Sequence, residues 1–144
     1  MRRILFFLLL SLLASGNVNA GCDDSLADGV DYTNCRFSDG QDLQGSYLPN
    51  SNLSFAGFIQ VNFDKSIMMN SILAFGTFSE SSFIRANFQG ASLIEANFKD
   101  SNLFEANFTA ANITNANFEG SNLNNATWAD GKKCGLGSIG ECKK

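Results

Sequence analysis

The chain has 144 residues, a formal net charge of -4, 14 Phe, one Pro, four Cys and no His. That length holds one domain; zero His excludes Ser-His-Asp and Cys-His catalysis and every His-ligated metal site; the acidic balance argues against nucleic acid as a partner. An excess of Phe and Asn (17 Asn) against a single Pro points to a repeat rather than to an enzyme.

Residues 1–20 read as a secretory signal. Arg2 and Arg3 form a short positive region, Ile4 to Leu13 an apolar run broken only by Ser11, and Val18 and Ala20 the small-residue pattern at a cleavage site. The run is about half the ~20 residues a membrane-crossing helix needs, so no permanent span is expected. The apolar run follows Arg2-Arg3 at once, which favours the general secretion route over the twin-arginine one. A rival reading starts from Cys22: Ala20-Gly21-Cys22 has the form of a lipoprotein signal, although Asn19 stands where that motif carries an aliphatic residue. Cleavage after Ala20 leaves 8 basic and 14 acidic side chains, a net charge of -6. The expected location is exported, either periplasmic or secreted.

Residues 21–40 precede the repeat and read as an N-terminal cap. They contain Cys22, Val30, Tyr32, Cys35 and Phe37.

Residues 41–130 carry a strict five-residue period. A bulky apolar residue recurs from Leu43 through Leu48, Leu53, Phe58 and onward to Trp128, eighteen positions without a slip. Two residues before each stands Ser, Ala or Gly, with only Gln41 and Val61 departing. The residue between is often Asn, as at Asn52, Asn87 and Asn122. A spacing of two within each unit is strand alternation, so the small and bulky residues face one core. Strands that return to the same face every five residues must turn between units, which describes a solenoid. Identity of the bulky residue peaks at a lag of twenty, in 8 of 14 pairs. Four units then make one coil with four stacked columns, headed by Leu43, Leu48, Leu53 and Phe58. The Phe58, Phe78, Phe98, Phe118 column is a pure Phe ladder, with Ala56, Gly76, Ala96 and Ala116 leaving it room.

The Ala86-Asn87-Phe88, Ala96-Asn97-Phe98 and Ser121-Asn122-Leu123 units closely resemble the pentapeptide-repeat proteins. The resemblance covers residues 41–130 and implies an all-β fold, a right-handed quadrilateral β-helix of about four and a half coils. It is specific for fold and poorly specific for function.

Residues 131–144 read as a C-terminal disulfide cap, with Trp128 to Gly131 and the Gly-rich run Gly135 to Gly140 covering the last coil. The four Cys flank the repeat, and an exported chain with four Cys reads as two disulfides. Of three connectivities, Cys22 with Cys35 and Cys134 with Cys142 is favoured, because the rod separates the pairs. A four-thiolate metal site or a redox pair lacks the required Cys-x-x-Cys spacing.

The outward positions are mostly polar, except at Phe55, Ile59, Ile67, Met69, Ile72 and Phe75. Phe55 and Phe75 are twenty apart and should stack, as should Ile84 and Phe104. Such a patch reads as a binding or self-association surface, a homodimer contact among the options. The competing reading is local packing against the N-terminal segment around Val30, Tyr32 and Phe37, or a distorted coil. Some relatives in the resembled family mimic duplex DNA and bind topoisomerases. Here the repeat carries a net charge of -5 over 90 residues, sparse beside DNA. Isolated Asp and Glu on a rod read as solvation charges, and no EF-hand or nonapeptide calcium pattern is present. The sequons at Asn52, Asn107, Asn112 and Asn125 follow from the repeat itself. No catalytic residue, cofactor or metal is expected. The reading is an exported, non-enzymatic solenoid serving as an interaction or structural module of the cell envelope, with no nucleic acid among its partners. The alternative is an anionic DNA mimic that inhibits a DNA-binding enzyme such as a topoisomerase.

Overall fold

Each five-residue unit places three residues in extended backbone and two in a corner. The structure, a computed structural model, describes Cys22 and residues 26–144. The signal segment expected over residues 1–20 lies outside the described residues. The middle residue of each extended triplet pairs in parallel with the one twenty positions on: Asp42 with Asn62, Tyr47 with Ile67, and so on to Asn107 with Thr127. Each pairing is a two-way exchange of bonds. Leu53 N–H donates to Ile72 O at 2.6 Å, and Ile72 N–H donates to Ser51 O at 2.9 Å. A step of twenty residues means four units per turn, the number that the lag of twenty indicates.

The core follows from the alternation. Leu53, Phe58, Phe63, Met68, Leu73, Phe78, Phe83 and Phe88 are fully buried. Along a column the rings lie nearly parallel: Phe58 and Phe78 at 5.6 Å and 10°, Phe78 and Phe98 at 5.1 Å and 17°, Phe98 and Phe118 at 5.6 Å and 6°. Between columns they meet edge to face, as Phe58 does Phe63 at 74° and Phe108 does Phe118 at 82°. Both are favourable arrangements of the ring quadrupole. Each buried ring contributes roughly 1.5–3 kcal/mol by transfer from water. Gly76 takes the small position below Phe78 for a packing reason: a Cβ there would sit 2.6 Å from Phe78 Cε2.

The polar groups are satisfied by three devices. At the corners the small residue's N–H donates to the bulky residue's carbonyl three positions back, as Ala56 does to Leu53 at 3.1 Å. At the outward positions the Asn side chain accepts the N–H two residues on, as Asn52 does from Ser54 at 3.1 Å and Asn107 from Thr109 at 3.0 Å. Asn amides also bond coil to coil: Asn117 Nδ2 donates to Asn97 Oδ1 at 3.2 Å and Asn122 Nδ2 to Asn102 Oδ1 at 3.1 Å. The third device is buried Ser. Ser81 Oγ accepts from Val61 N–H at 3.0 Å and donates to Phe58 O at 3.2 Å, bridging a corner whose own bond is not made. Ser101 Oγ donates to Phe78 O at 2.7 Å and Ser121 Oγ to Phe98 O at 2.6 Å. Ser66 Oγ is the exception: it is buried and has no partner among the described residues.

The coil begins earlier than the five-residue period does. Asp31 pairs with Asn52 and Arg36 with Gly57, each 21 residues apart rather than twenty. Tyr32 and Phe37 are buried, and Phe37 stacks under Phe58 at 4.3 Å and 9°. These residues therefore continue two core columns downward and do not cover the outward patch around Phe55. Tyr32 and Phe37 lie in the core and Val30 packs against it, while Arg36 and Asp39 of the same segment line the surface beside Phe55 and Ile59. At the other end the chain reverses. Thr127 pairs antiparallel with Lys133, and Asn122 with Ile139. Leu123 N–H donates to Ser138 O at 2.8 Å, and Cys134 N–H to Ala126 O at 2.8 Å, so the tail covers the upper edge of the Leu43 and Leu48 columns.

Two stability outcomes follow. Ser66→Ala removes a buried hydroxyl without a partner, and urea unfolding is expected to show a gain of about 1 kcal/mol. Ser81→Ala strands Val61 N–H and Phe58 O, with an expected loss of about 2 kcal/mol. Equal effects of the two substitutions would contradict this bonding scheme. The second outcome concerns acid. Hydrogen bonds from the Thr33 hydroxyl, then from Thr33 N–H, hold the Asp31 carboxyl below its ordinary value of 3.8. A depressed folded-state value stabilises the fold above the unfolded value, and that contribution is lost as pH falls through the folded one. Asn occupies this position in the coil above, at Asn52. Asp31→Asn keeps an acceptor there, so urea midpoints followed from neutral to about pH 2 should fall less steeply than those of the parent chain.

Candidate functional site

Outward positions are free of the core's demands, so an apolar residue there needs another reason. Six large apolar side chains are exposed among the described residues: Tyr47, Phe55, Ile72, Phe75, Leu136 and Ile139. Of the sequence-derived patch, Phe55, Ile72 and Phe75 are exposed, at 55%, 45% and 45%. Ile59, Ile67 and Met69 are half-buried beside them, as are Ile84 and Phe104 higher up. Phe55 and Phe75 stack with centroids 4.9 Å apart and planes 6° apart. Ile67 and Ile72 stand at the strand positions that Asn87 and Ser92 take one coil above. Tyr47 belongs to the same surface: it pairs with Ile67 in the coil above it, so the twenty-residue register could have revealed it.

The backbone makes these aromatics costly. Phe55 and Phe75 occupy corners at φ 58° and 60°, in the left-handed region. Gly40, Gly45, Gly90 and Gly120 fill other corners, where that conformation carries no steric penalty. A residue with a Cβ is disfavoured there by roughly 1–2 kcal/mol. The ring stack offsets part of that cost.

An open cleft of about 250 Å³ lies beside Phe55. Phe55 and Ile59 form its apolar walls, Gly57 lies between them, and Arg36, Asp39 and Thr77 contribute polar atoms to its lining. The cleft exists because position 57 lacks a side chain. The same strand column carries Thr77, Asn97 and Asn117 above. Sequence reading passed over Gly57 because a glycine among polar outward residues carries no periodic signal.

The rod's charges are largely engaged. Arg85 pairs with Glu105 at 2.6 Å and Lys99 with Glu119 at 3.2 Å, each one coil apart. Those partners raise the Arg85 and Lys99 pKa, chiefly through the hydrogen bond. Asp64 accepts from Ser82 Oγ at 2.6 Å and from Ile84 N–H at 2.9 Å. Asp130 is lowered by its bonds from Lys144 and from Lys132 N–H. Among the described residues no three His, Cys, Asp or Glu side chains converge on a point where a metal could sit. No helix of the described residues is long and apolar enough to cross a membrane.

The cysteines pair within each end, Cys22 with Cys35 and Cys134 with Cys142. Closing loops of 13 and 8 residues contributes roughly 2–3 kcal/mol each in the chain-entropy account. The Cys22–Cys35 disulfide uses the sulfur that the lipoprotein reading would modify, so the two readings are mutually exclusive at Cys22.

Residues 70–127 match the family model described as pentapeptide repeats, in eight copies. No curated protein matches the chain by sequence. Among solved structures, a pentapeptide repeat protein from the thylakoid lumen of Arabidopsis thaliana superposes with a TM-score of 0.52 at 21% identity, over 63% of this chain and 67% of that one. Rfr23, a pentapeptide repeat protein from the cyanobacterium Cyanothece 51142, gives 0.34 at 27% identity, over 56% of this chain and 58% of that one. QnrB1, a plasmid-mediated fluoroquinolone resistance protein, gives 0.46 at 19%, over 69% and 65%. The first of these likenesses identifies the fold as a right-handed β-helix.

The Phe55–Phe75 stack is open to a direct check. In a double-mutant cycle of Phe55→Ala and Phe75→Ala, urea unfolding should give a coupling of about 0.5–1.5 kcal/mol. A coupling near zero would mean that the rings do not stack in solution.

Proposed function

We propose, on the premise that this chain belongs to the pentapeptide-repeat family, that it is an exported, non-enzymatic solenoid presenting its early-coil apolar surface to a protein or other envelope component. In this reading the repeat over residues 41–130 forms about four and a half coils between a 21–40 cap and a 131–144 cap. The observation that carries the reading is the exposed Phe55–Phe75 stack with Ile72 beside it. It places aromatic rings at corners where the rest of the repeat carries charged, amide or small residues, and an isoleucine at a strand position held elsewhere mostly by Asn, Ser or Thr, which is the mark of a surface kept for contact.

Export is supported by the signal pattern over residues 1–20 and by the use of all four Cys in disulfides, which persist in oxidising compartments. The relative from the thylakoid lumen also belongs to a lumenal compartment. The absence of His and the scattering of carboxylates support a non-enzymatic role. The DNA-mimic alternative has less behind it. Glu105 and Glu119 are paired with cations and Asp64 is held by two hydrogen bonds, so part of the repeat's sparse acidic charge is already engaged.

The test combines two measurements. Mass spectrometry of the exported product should show a chain beginning at Gly21 with no free thiol. A cytoplasmic product with an intact N-terminus would overturn the export reading. Affinity capture from envelope extract should lose its partner with Ile72→Asp while thermal stability stays within a few degrees of the parent, since exposed substitutions cost about 0.5 kcal/mol or less. Loss of stability in parallel with loss of capture would instead mean that Ile72 holds the fold together.

A further inference from the structure

The exposed large apolar side chains of the described residues form two groups. Tyr47, Phe55, Ile72 and Phe75 lie in the early coils, and Leu136 and Ile139 lie in the C-terminal cap. The two groups sit in opposite charge. Residues 26–50, which lead into the first, carry Asp28, Asp31, Asp39 and Asp42 against Arg36, and of these Asp39 and Arg36 line the cleft beside Phe55. Residues 130–144, which carry the second, hold Lys132, Lys133, Lys143 and Lys144 against Asp130 and Glu141. Lys144 pairs with Asp130, while Lys132 and Lys143 have no ion pair among the described residues.

The shapes are also complementary. Leu136, 84% exposed, sits at the tip of the loop closed by the Cys134–Cys142 disulfide. Both flanks of that tip are anchored: Cys134 and Ser138 are buried, and Ser138 Oγ donates to Gly135 O at 2.7 Å. A side chain on so constrained a loop loses little backbone freedom when it docks. The cleft at Gly57 is large enough for one such side chain and has apolar walls in Phe55 and Ile59. Gly57 has no role in the fold that demands glycine. Its φ is not in the left-handed region, and an added Cβ would meet only Arg36 Cγ, at an ordinary 3.7 Å. The missing side chain serves the cleft rather than the coil.

We propose that copies of this chain associate head to tail, with Leu136 of one copy seated in the Gly57 cleft of the next and the cap lysines facing the early-coil aspartates. The proposal rests on the reading of the early-coil surface as a contact surface, and names a second copy as its occupant. Such an interface joins two different patches. It therefore does not close on itself as a two-fold dimer does, and it can propagate into rows of rods.

Sedimentation velocity of the mature, disulfide-intact chain should show species that grow with concentration. Association should weaken on the order of ten-fold from low to molar salt, because the facing charges are exposed and screened. Gly57→Asn, which installs the residue found at Asn97 and Asn117 of the same column, fills the cleft and leaves the cap intact. Leu136→Asp removes the knob and leaves the cleft intact. Each variant alone should be monomeric with an unchanged melting temperature, and an equal mixture should form a one-to-one complex and nothing larger. A chain that stays monomeric at all concentrations overturns the proposal, and Ile72-dependent capture of an envelope partner would then still stand. A Gly57→Asn variant that self-associates like the parent, as a cap-to-cap dimer would, also overturns it. So does a mixture of the two variants that forms no complex.

Discussion

Backbone pairing between residues twenty apart is the constraint on which everything else in this molecule depends. Parallel strands stack about 4.8 Å apart, and rings in a column lie 5.1 to 5.6 Å apart from Phe58 up to Phe118. The two spacings are nearly commensurate, so a Phe placed above a Phe stacks in its ordinary offset geometry while its backbone pairs. A unit of four residues, or of six, would turn the bulky side chain out of its column, since a slip of one residue in a strand reverses which face it points to. The one tolerated slip lies between Phe37 and Leu43, at the end of the rod, where a single coil has to absorb it. The near absence of Pro has the same origin, because three of the five N–H groups in a unit, such as those of Asn52, Leu53 and Phe55, are committed to a neighbouring coil and that of the small residue closes the corner.

That constraint divides the sequence into positions that can vary and positions that cannot. Inward positions serve the core and the corner bonds, and over residues 41–128 their variation is confined to Ala, Ser and Gly, with Gln41 and Val61 the departures, against Leu, Phe, Met, Ile and Trp. Even Ser and Ala are not equivalent there. The hydroxyl of Ser81 completes a corner, while that of Ser66 is buried without a partner, and nothing in the sequence around the two distinguishes them. Outward positions answer only to solvent and to whatever the rod touches. Function in such a solenoid has to be sought at outward residues that depart from Asn and Ser, including those that depart by having no side chain, as at Gly57.

The repeat was legible because eighteen units hold one phase and because four units per turn left a trace in the identity of the stacked residues. The pairing of Cys134 with Cys142 and of Cys22 with Cys35 was legible once the rod was seen to separate them. The first coil was not, since Tyr32 and Phe37 stand 21 residues below Leu53 and Phe58 and so fall out of phase with the period. The exposed patch was legible as composition, through Phe55, Ile72 and Phe75. How the N-terminal segment meets it was a question of tertiary structure: Tyr32 and Phe37 turn into the coil, and Arg36 and Asp39 come to lie beside Phe55 and Ile59. Leu136 and the Gly57 cleft carry no periodic signature and became visible only with the surface in hand.

The two ends of the rod solve different problems, and the difference gives the molecule a direction. A solenoid cut across its axis exposes unpaired strand edges, which template further pairing unless they are covered or blunted. At the C-terminal end the antiparallel tail covers the Leu123 and Trp128 columns and leaves the other two uncovered: among the described residues nothing pairs above Asn112 or Asn117. That open edge is blunted by its own short strands and by the exposed polar residues Asn112, Thr114, Asn115, Asn117 and Glu119. The N-terminal end is closed instead by a longer coil tied through Cys35, rich in aspartate where the other end is rich in lysine. Because the caps differ in fold, in charge and in what they expose, a two-fold contact would pair one cap with its own copy and leave the other cap out of the interface. A directional contact uses both sets of exposed groups in one interface, and a two-fold one would leave half of them in water.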